Sequence, residues 1–399
     1  VAAAAEGTED AGSFAYLTAA CRWPDDAQRR SAIAAAASRV SDWDAVLTDA
    51  RWHRVIPLVA RALRITETAP PPVVAQAQAL ARRDAILAMT QASEAVRIGD
   101  ALSAAGVDWI AVKGPALAVC AYGDVAAKAS HDLDLLIAPH RRTDAFAALR
   151  ALGYESLDGQ DRAPPGSLDH VLKDSSWHHP ERKVTVELHI RLFINRWLAP
   201  DIGLASARET VSLGAGRGVP TLARPDLLVY LALHGARTNW HRLKWIADFA
   251  AMLRATDADL RAAAAERARN LGVAQVYDSA ILLAGTLFGS ATFPAPPTAG
   301  AHARRLTAAA IRDLTAPHHA TLRARDWDRQ LAVYLDRIRF MPGAGYRLEE
   351  LRLMVTEASS YAPDAPWWRR WTAPLALAGR FAWRKLAPAR AAGTNGRQQ

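Results

Sequence analysis

HDLDLLI, residues 131–137, limits what this chain can fold into more than any other stretch. The two-residue period of a strand sends Asp132 and Asp134 to one face and Leu133 and Leu135 to the other. Two acids on so apolar a strand repel each other and resist burial, so the arrangement calls for a cation. On this reading, neutralising either aspartate relieves the repulsion and leaves the stability of the metal-free protein equal or higher.

A strand of this kind needs a sheet, and the surrounding sequence supplies one. Residues 107–112 (VDWIAV) read as a short apolar strand, followed by KGPALAVCAY as a turn into a helix and RRTDAFAALRALGY as a helix packing back on DLDLLI. Further strand candidates are DHVLKD, SSWHHP and KVTVELHI, with the APPGS turn before them. On both sides the period becomes helical. FAYLTAAC, SAIAAAASRV, WDAVLTDARWHRVIPLVARAL and VVAQAQALARRDAILAMTQASEAV precede the sheet, broken by PDD and by Pro70–Pro72, with Asp42 as a helix boundary. PDLLVYLALHGA, RLKWIADFAAMLRA, ADLRAAAAERARNLG and VAQVYDSAILLAGTLFG follow it, and FPAPPTAG reads as a linker. The expected class is α+β: a helical region over residues 1–95, a core with a small mixed β-sheet over 96–215, and a helical region over 216–399.

The chemistry gathers on the acidic face. In KVTVELHI, residues 183–190, alternation places Glu187 and His189 opposite Val186 and Leu188. If this strand lies beside DLDLLI, Asp132, Asp134 and Glu187 converge and stay ionised only near a divalent cation. An all-oxygen set with room for water and phosphate suits Mg²⁺. Upstream, a strand that stops at Lys113-Gly114 and turns into a helix exposes backbone N–H groups where a phosphate is well placed, with the lysine as a mobile charge. Gly114 lets the backbone come close, and Pro115 fits the first helical turn. Taken singly, Lys113 could equally be a solvated lysine at a strand end, and His189 a structural residue or a hydrogen-bonder behind the ligands.

Phosphate cradle, D-x-D strand and third carboxylate, in that order, resemble the nucleotidyltransferase superfamily related to polymerase β. More closely, Lys113-Gly114, DLDLLI, VELHI and HGARTNWHRLKWIAD resemble the bacterial NTP_transf_5 type of nucleotidyltransferase, from about residue 42 to at least Leu253. The resemblance implies that Asp132, Asp134 and Glu187 are catalytic metal ligands and that Lys113 and Gly114 contact phosphate. The turn is Lys-Gly-Pro where Gly-Ser is common, and Lys128 stands nearest the place where relatives carry an arginine. The implied reaction is Mg²⁺-dependent transfer of a nucleoside monophosphate from an NTP such as ATP to a small molecule, sugar, peptide or protein, releasing pyrophosphate through a two-metal site. Biosynthetic clusters for polysaccharides or modified peptides are the setting it suggests. The alternative is a catalytically degenerate relative that binds nucleotide or a partner without turnover. In the downstream helix, His234, Arg237, Trp245 and Asp248 sit at offsets suited to nucleotide or acceptor contacts, or else Trp240 and Trp245 pack with Asp248 as a buried polar anchor.

Bulk properties narrow the remaining classes. No uninterrupted apolar run reaches the roughly 20 residues of a spanning helix, and VAAAAEGTEDAGS reads as a frayed leader, not a signal peptide. Cys21 and Cys120, far apart, read as unpaired thiols of a reducing compartment, hence the cytoplasm. His178 and His179 have no cysteine or spaced histidine for a zinc site. Of the net charge of +9, +6 lies in residues 364–399. Nucleic acid is therefore not an expected partner of the core. The tail WWRRWTAPLALAGRFAWRKL has the composition of an interfacial helix, for weak membrane-surface contact or for packing on the body.

Overall fold

A computed structural model describes residues 11–128, 130–160, 173–214, 216–316 and 333–360. Most of the expected leader, the APPGS turn, most of DHVLKD and the Trp-rich tail lie outside them, while the last three residues of that leader, Ala11–Ser13, are helical and not frayed. The chain forms two compact units, Val1–Thr321 and Leu322–Gln399.

The first unit opens with α1 (Ala11–Ala20), α2 (Ala27–Ala37), α3 (Trp43–Trp52), α4 (Ile56–Leu63) and α5 (Pro71–Ala104). Asp42 caps α3, its carboxylate accepting from the N–H groups of Asp44 and Ala45. The proline run starts α5: Pro70 is its cap and the next two prolines fill the first turn, where a missing N–H is harmless. With 34 residues, α5 is about 51 Å long, at about 1.5 Å per residue.

The sheet contains β1 (Trp109–Ala111), β2 (Asp132–Ile137), β3 (Glu155–Ser156), β4 (Asp174–His179) and β5 (Val184–His189), in the order β1-β2-β5-β4-β3. β2 and β5 are parallel and the other pairs antiparallel, so the sheet is small and mixed and the fold is α+β. Leu133, Leu135, Val186, Leu188 and Trp177 lie on its apolar face. They pack with Ala95, Ile98 and Leu102 of α5 and with Ala145, Phe146 and Leu149 of α7 (Arg142–Ala151). Removing one such leucine side chain costs about 2–5 kcal/mol, which is why register here is firmly set. Between β1 and β2 lies α6 (Gly114–Tyr122). A hairpin of β6 (Arg208–Gly214) and β7 (Arg217–Leu222) follows the sheet, with a bulge between Ser212 and Gly214.

Helices then return: α8 (Arg224–Arg237), α9 (Leu243–Arg254), α10 (Ala258–Asn270), α11 (Ala274–Phe288) and α12 (Ala301–Leu314). The motif HGARTNWHRLKWIAD, implied by the resemblance to lie on one helix, spans two, as the separate runs PDLLVYLALHGA and RLKWIADFAAMLRA suggest, because Asn239 and Trp240 both adopt φ of 51° and turn the chain between α8 and α9. Packing holds this turn. A Cβ on Gly235 would come within 2.2 Å of the Trp240 ring, which is buried and lies 6.2 Å from Phe249. In the second unit, α13 (Ala344–Ser360) carries a paired Arg352 and Glu349, and the Tyr346 hydroxyl donates to the carbonyl of Arg337. Among the described residues, no helix is long and apolar enough to cross a membrane.

Candidate active site

The face of the sheet turned away from that core is polar because both central strands alternate. In the parallel register, Asp132 stands beside Thr185, Asp134 beside Glu187 and Leu136 beside His189. On the far side of β5, antiparallel pairing brings Asp174 next to His189 and Ser176 next to Glu187. Two adjacent strands thus contribute acids to one patch, with a histidine two residues further on.

Asp134 is its buried centre. One oxygen, Oδ1, accepts from Lys113 Nζ at 2.8 Å and lies 3.0 Å from His189 Nε2. The same Nε2 is 3.5 Å from Glu187 Oε2, and Nδ1 of that ring is 3.4 Å from Asp174 Oδ2. Asp134, Glu187 and His189 offer ligand atoms that all lie within 4.8 Å of one another. Asp132 stands outside this grouping, half-buried at the start of β2. A carboxylate pair and one imidazole nitrogen this close is a donor set that fits a divalent cation.

The two aspartates respond to the site in opposite ways. Burial pushes the Asp134 carboxyl up, but Lys113 and then His189 outweigh it and hold the group well below the usual carboxylate range. At Asp132, burial raises the value and the charges of Asp134 and Glu187 raise it further. A hydrogen bond from His189 lowers Glu187. For Lys113, burial pulls down while Asp134 more than restores the charged form. These directions favour relief of repulsion on neutralising Asp132 and oppose it for Asp134, which already has its cation.

Lys113 reaches Asp134 because of the turn it begins. Val112 donates its N–H to the Asp134 carbonyl, closing β1 onto β2, and Lys113 then takes the cap position of α6 without a side-chain cap. Gly114 follows at φ 61°, a left-handed conformation that glycine adopts without strain. The first N–H groups of α6 therefore lie beside β2, and a Cβ on Gly114 would sit 3.7 Å from the carbonyl of Asp132. Burial pushes the Tyr230 hydroxyl of α8 up against the opposing charge of Lys113, and His234, one turn on, is held neutral by burial, with Lys113 adding to the effect. The His234 ring lies 6.0 Å from that of Trp245 and 5.7 Å from that of Tyr230.

A family model described as an uncharacterised nucleotidyltransferase, NTP_transf_5, matches residues 39–289, more than half of the chain. The chain belongs to this nucleotidyltransferase family. No curated protein matches it. The match takes in every strand of the sheet and the helices from α3 to α11.

Within this nucleotidyltransferase, the remaining residues singled out from sequence divide clearly. Lys128 and Asp248 meet each other: Nζ lies 2.8 Å from Oδ2 in a buried pair, and the Tyr122 hydroxyl donates to Asp248 Oδ1 at 3.0 Å. Cys21 and Cys120 are both buried free thiols. Sequence reasoning did not find Lys244 and Arg54. Lys244 sits in the LKW of the downstream motif, which was the available signal; Arg54, in the N-terminal helices, carried none. Both bear on the polar face electrostatically, Lys244 acting on Asp132, and both acting on His131.

Proposed function

We propose that this protein transfers a nucleoside monophosphate from an NTP to an acceptor and releases pyrophosphate, with Mg²⁺ held by Asp134, Glu187 and Asp132. The observation that carries this reading is the register that sets Asp134 directly beside Glu187, next to the glycine turn that opens α6. Bound there, the metal would supply Lewis-acid stabilisation of charge developing on phosphate oxygens and of the acceptor oxygen. His189 is well placed to orient both carboxylates, since its Nε2 lies close to each. Lys113 and the first N–H groups of α6 receive the phosphates. The acceptor oxygen forms a bond to the α-phosphorus as the bond to the β-phosphate oxygen breaks, and the buried walls contributed by Tyr230 and the sheet keep bulk water from competing.

The test is turnover together with binding. Pyrophosphate release from each of the four common NTPs is measured with Mg²⁺, with small alcohols, sugars and peptides as acceptors. Mg²⁺-dependent NTP binding is followed by calorimetry. Asp132→Asn and Asp134→Asn are expected to abolish turnover. Glu187→Gln should lower kcat about a hundredfold or more with a smaller change in apparent NTP affinity. Undiminished Mg·NTP binding and turnover in all three variants would refute the site.

A further inference from the structure

The cations around the carboxylates are not all matched. Lys113 is paired with Asp134 and Lys128 with Asp248, each at 2.8 Å. Lys244 and Arg54 make no ion pair among the described residues, although each is half-buried. The Lys244 ammonium lies 5.7 Å from the centre of its neighbour Trp245. Its electrostatic surroundings are mostly cationic: Lys128 from the approach to β2, Arg54 from the end of α3 and Lys113 from the start of α6, opposed by Asp248 of α9. Burial, then Lys128 and Arg54, push its ammonium down to about 7.

This crowding is built by the backbone. His53 accepts the Leu243 N–H on its Nδ1 at 3.1 Å and the Lys244 N–H on its carbonyl at 3.3 Å. Arg242 donates to the carbonyl of Trp52 at 3.0 Å and stacks over the Trp52 ring at 4.7 Å. Residues 52–54 and 242–244 are thereby fastened together, and Arg54, at φ 57°, follows directly. Two like charges are fixed near each other by contacts that involve neither charge. Such an arrangement is unfavourable alone and becomes favourable with a multivalent anion. Its position identifies the anion. Lys244 acts on Asp132, and both cations act on His131, so the start of β2 lies within their field.

We propose that Arg54 and Lys244 form a seat for the polyphosphate end of the nucleotide, and hence for the leaving pyrophosphate, shared between the N-terminal helices and α9. The assignment rests on the nucleotidyl-transfer reading above. It makes the N-terminal helices part of the site, not a separate support. In-line transfer then places the acceptor at the opposite end of the strand from this seat. Filling the seat also favours the charged form of Lys244, so binding takes up a proton above neutral pH and weakens as pH rises through about 7.

The test uses inorganic tripolyphosphate and pyrophosphate with the full chain in EDTA, by calorimetry at pH 8 in two buffers of different ionisation enthalpy. Expected are binding with net proton uptake and displacement by NTP. Lys244→Gln and Arg54→Gln should each weaken binding about tenfold or more. Lys244→Arg should keep the affinity and lose the proton uptake, which a merely structural role would not produce. Because Lys244→Gln removes a charge crowded by cations, it should melt no lower than the wild type without anion, so weak binding cannot be put down to misfolding. Unchanged affinity in both glutamine variants, or tripolyphosphate that NTP does not displace, would overturn the seat. Polyphosphate binding that needs Arg54 and Lys244 in a protein that turns over no NTP would instead overturn the transfer reading and leave the seat standing.

Discussion

Asp132 and Asp134 stand two residues apart on one face of one strand, and their isosteric amides should behave oppositely in the metal-free protein. Asp134→Asn keeps the shape and a carbonyl that can still accept from Lys113, but it removes the charge opposite a largely buried ammonium at 2.8 Å. Stripping one partner from a buried pair costs about 3–5 kcal/mol. Lys113 keeps 20% of its side chain exposed and has Tyr230 beside it, which places the cost nearer about 2–3 kcal/mol. At about 2–4 °C per kcal/mol for a large domain, Tm falls by about 4–12 °C. Asp132→Asn removes no ion pair. Its carboxyl is pushed up by burial and then by Asp134 and Glu187, so the amide relieves the site and Tm stays level or rises by up to about 3 °C. The assay is calorimetric unfolding of wild type and both variants in EDTA at pH 7.5 and low salt, with circular dichroism to confirm the fold. Equal losses in both variants, or a stabilised Asp134→Asn, would refute the charge assignment.

Three further outcomes are expected. Mg²⁺ at about a hundred times its Kd should stabilise the wild type by about 2.7 kcal/mol, measured as a rise in Tm, and Asp134→Asn should lose that rise. Lys113→Met should bind Mg²⁺ more tightly and NTP more weakly, because its ammonium competes for Asp134 Oδ1; isothermal titration with each ligand separates the two effects. Buried Glu94 is bound by Arg97 at 2.6 Å, the Tyr154 hydroxyl at 2.8 Å and Arg182 at 2.9 Å, and despite burial these partners lower its carboxyl. A depressed carboxylate contributes stability above its ordinary range that is lost as pH falls through the folded value. The urea midpoint should therefore drop on acidification below about pH 4.5, and by less in Glu94→Gln than in the wild type, the remainder belonging to other depressed carboxylates such as Asp134.

What was legible in the sequence was local. Alternation alone put the acids of β2 and β5 opposite their leucines and valines, because a period of two leaves no other choice once one face is apolar. The β2–β5 pairing entered only as a condition, because alternation does not say which strands are neighbours; the parallel register sets Asp134 beside Glu187. The β6–β7 hairpin is absent from the strands read in the sequence, since β6 is mostly exposed and carries no apolar run. The break between α8 and α9 was legible as the gap between the runs PDLLVYLALHGA and RLKWIADFAAMLRA, but the left-handed Trp240 that makes it was not; a ring seated against Gly235 decides it, and that contact is tertiary. The nearness of Arg54 to Lys244 depends on His53 holding the start of α9, across 190 residues of sequence.

The polar face also answers the question raised by the aspartate strand, although not with a single cation. Asp134 has Lys113 and His189, so it is satisfied in the protein alone. Asp132 has burial and two like charges against it, offset only in part by Lys113 and Lys244, and the crowding of Lys244 by Lys128 and Arg54 is opposed only in part by Asp248. Excess negative charge and excess positive charge are thus held side by side, too far apart to form an ion pair within the protein. A divalent cation alone would relieve the acids and add to the crowding of the lysine and arginine, while a bare polyphosphate would do the reverse. A metal–polyphosphate complex would relieve both together, and that is the form of substrate the proposed transfer calls for.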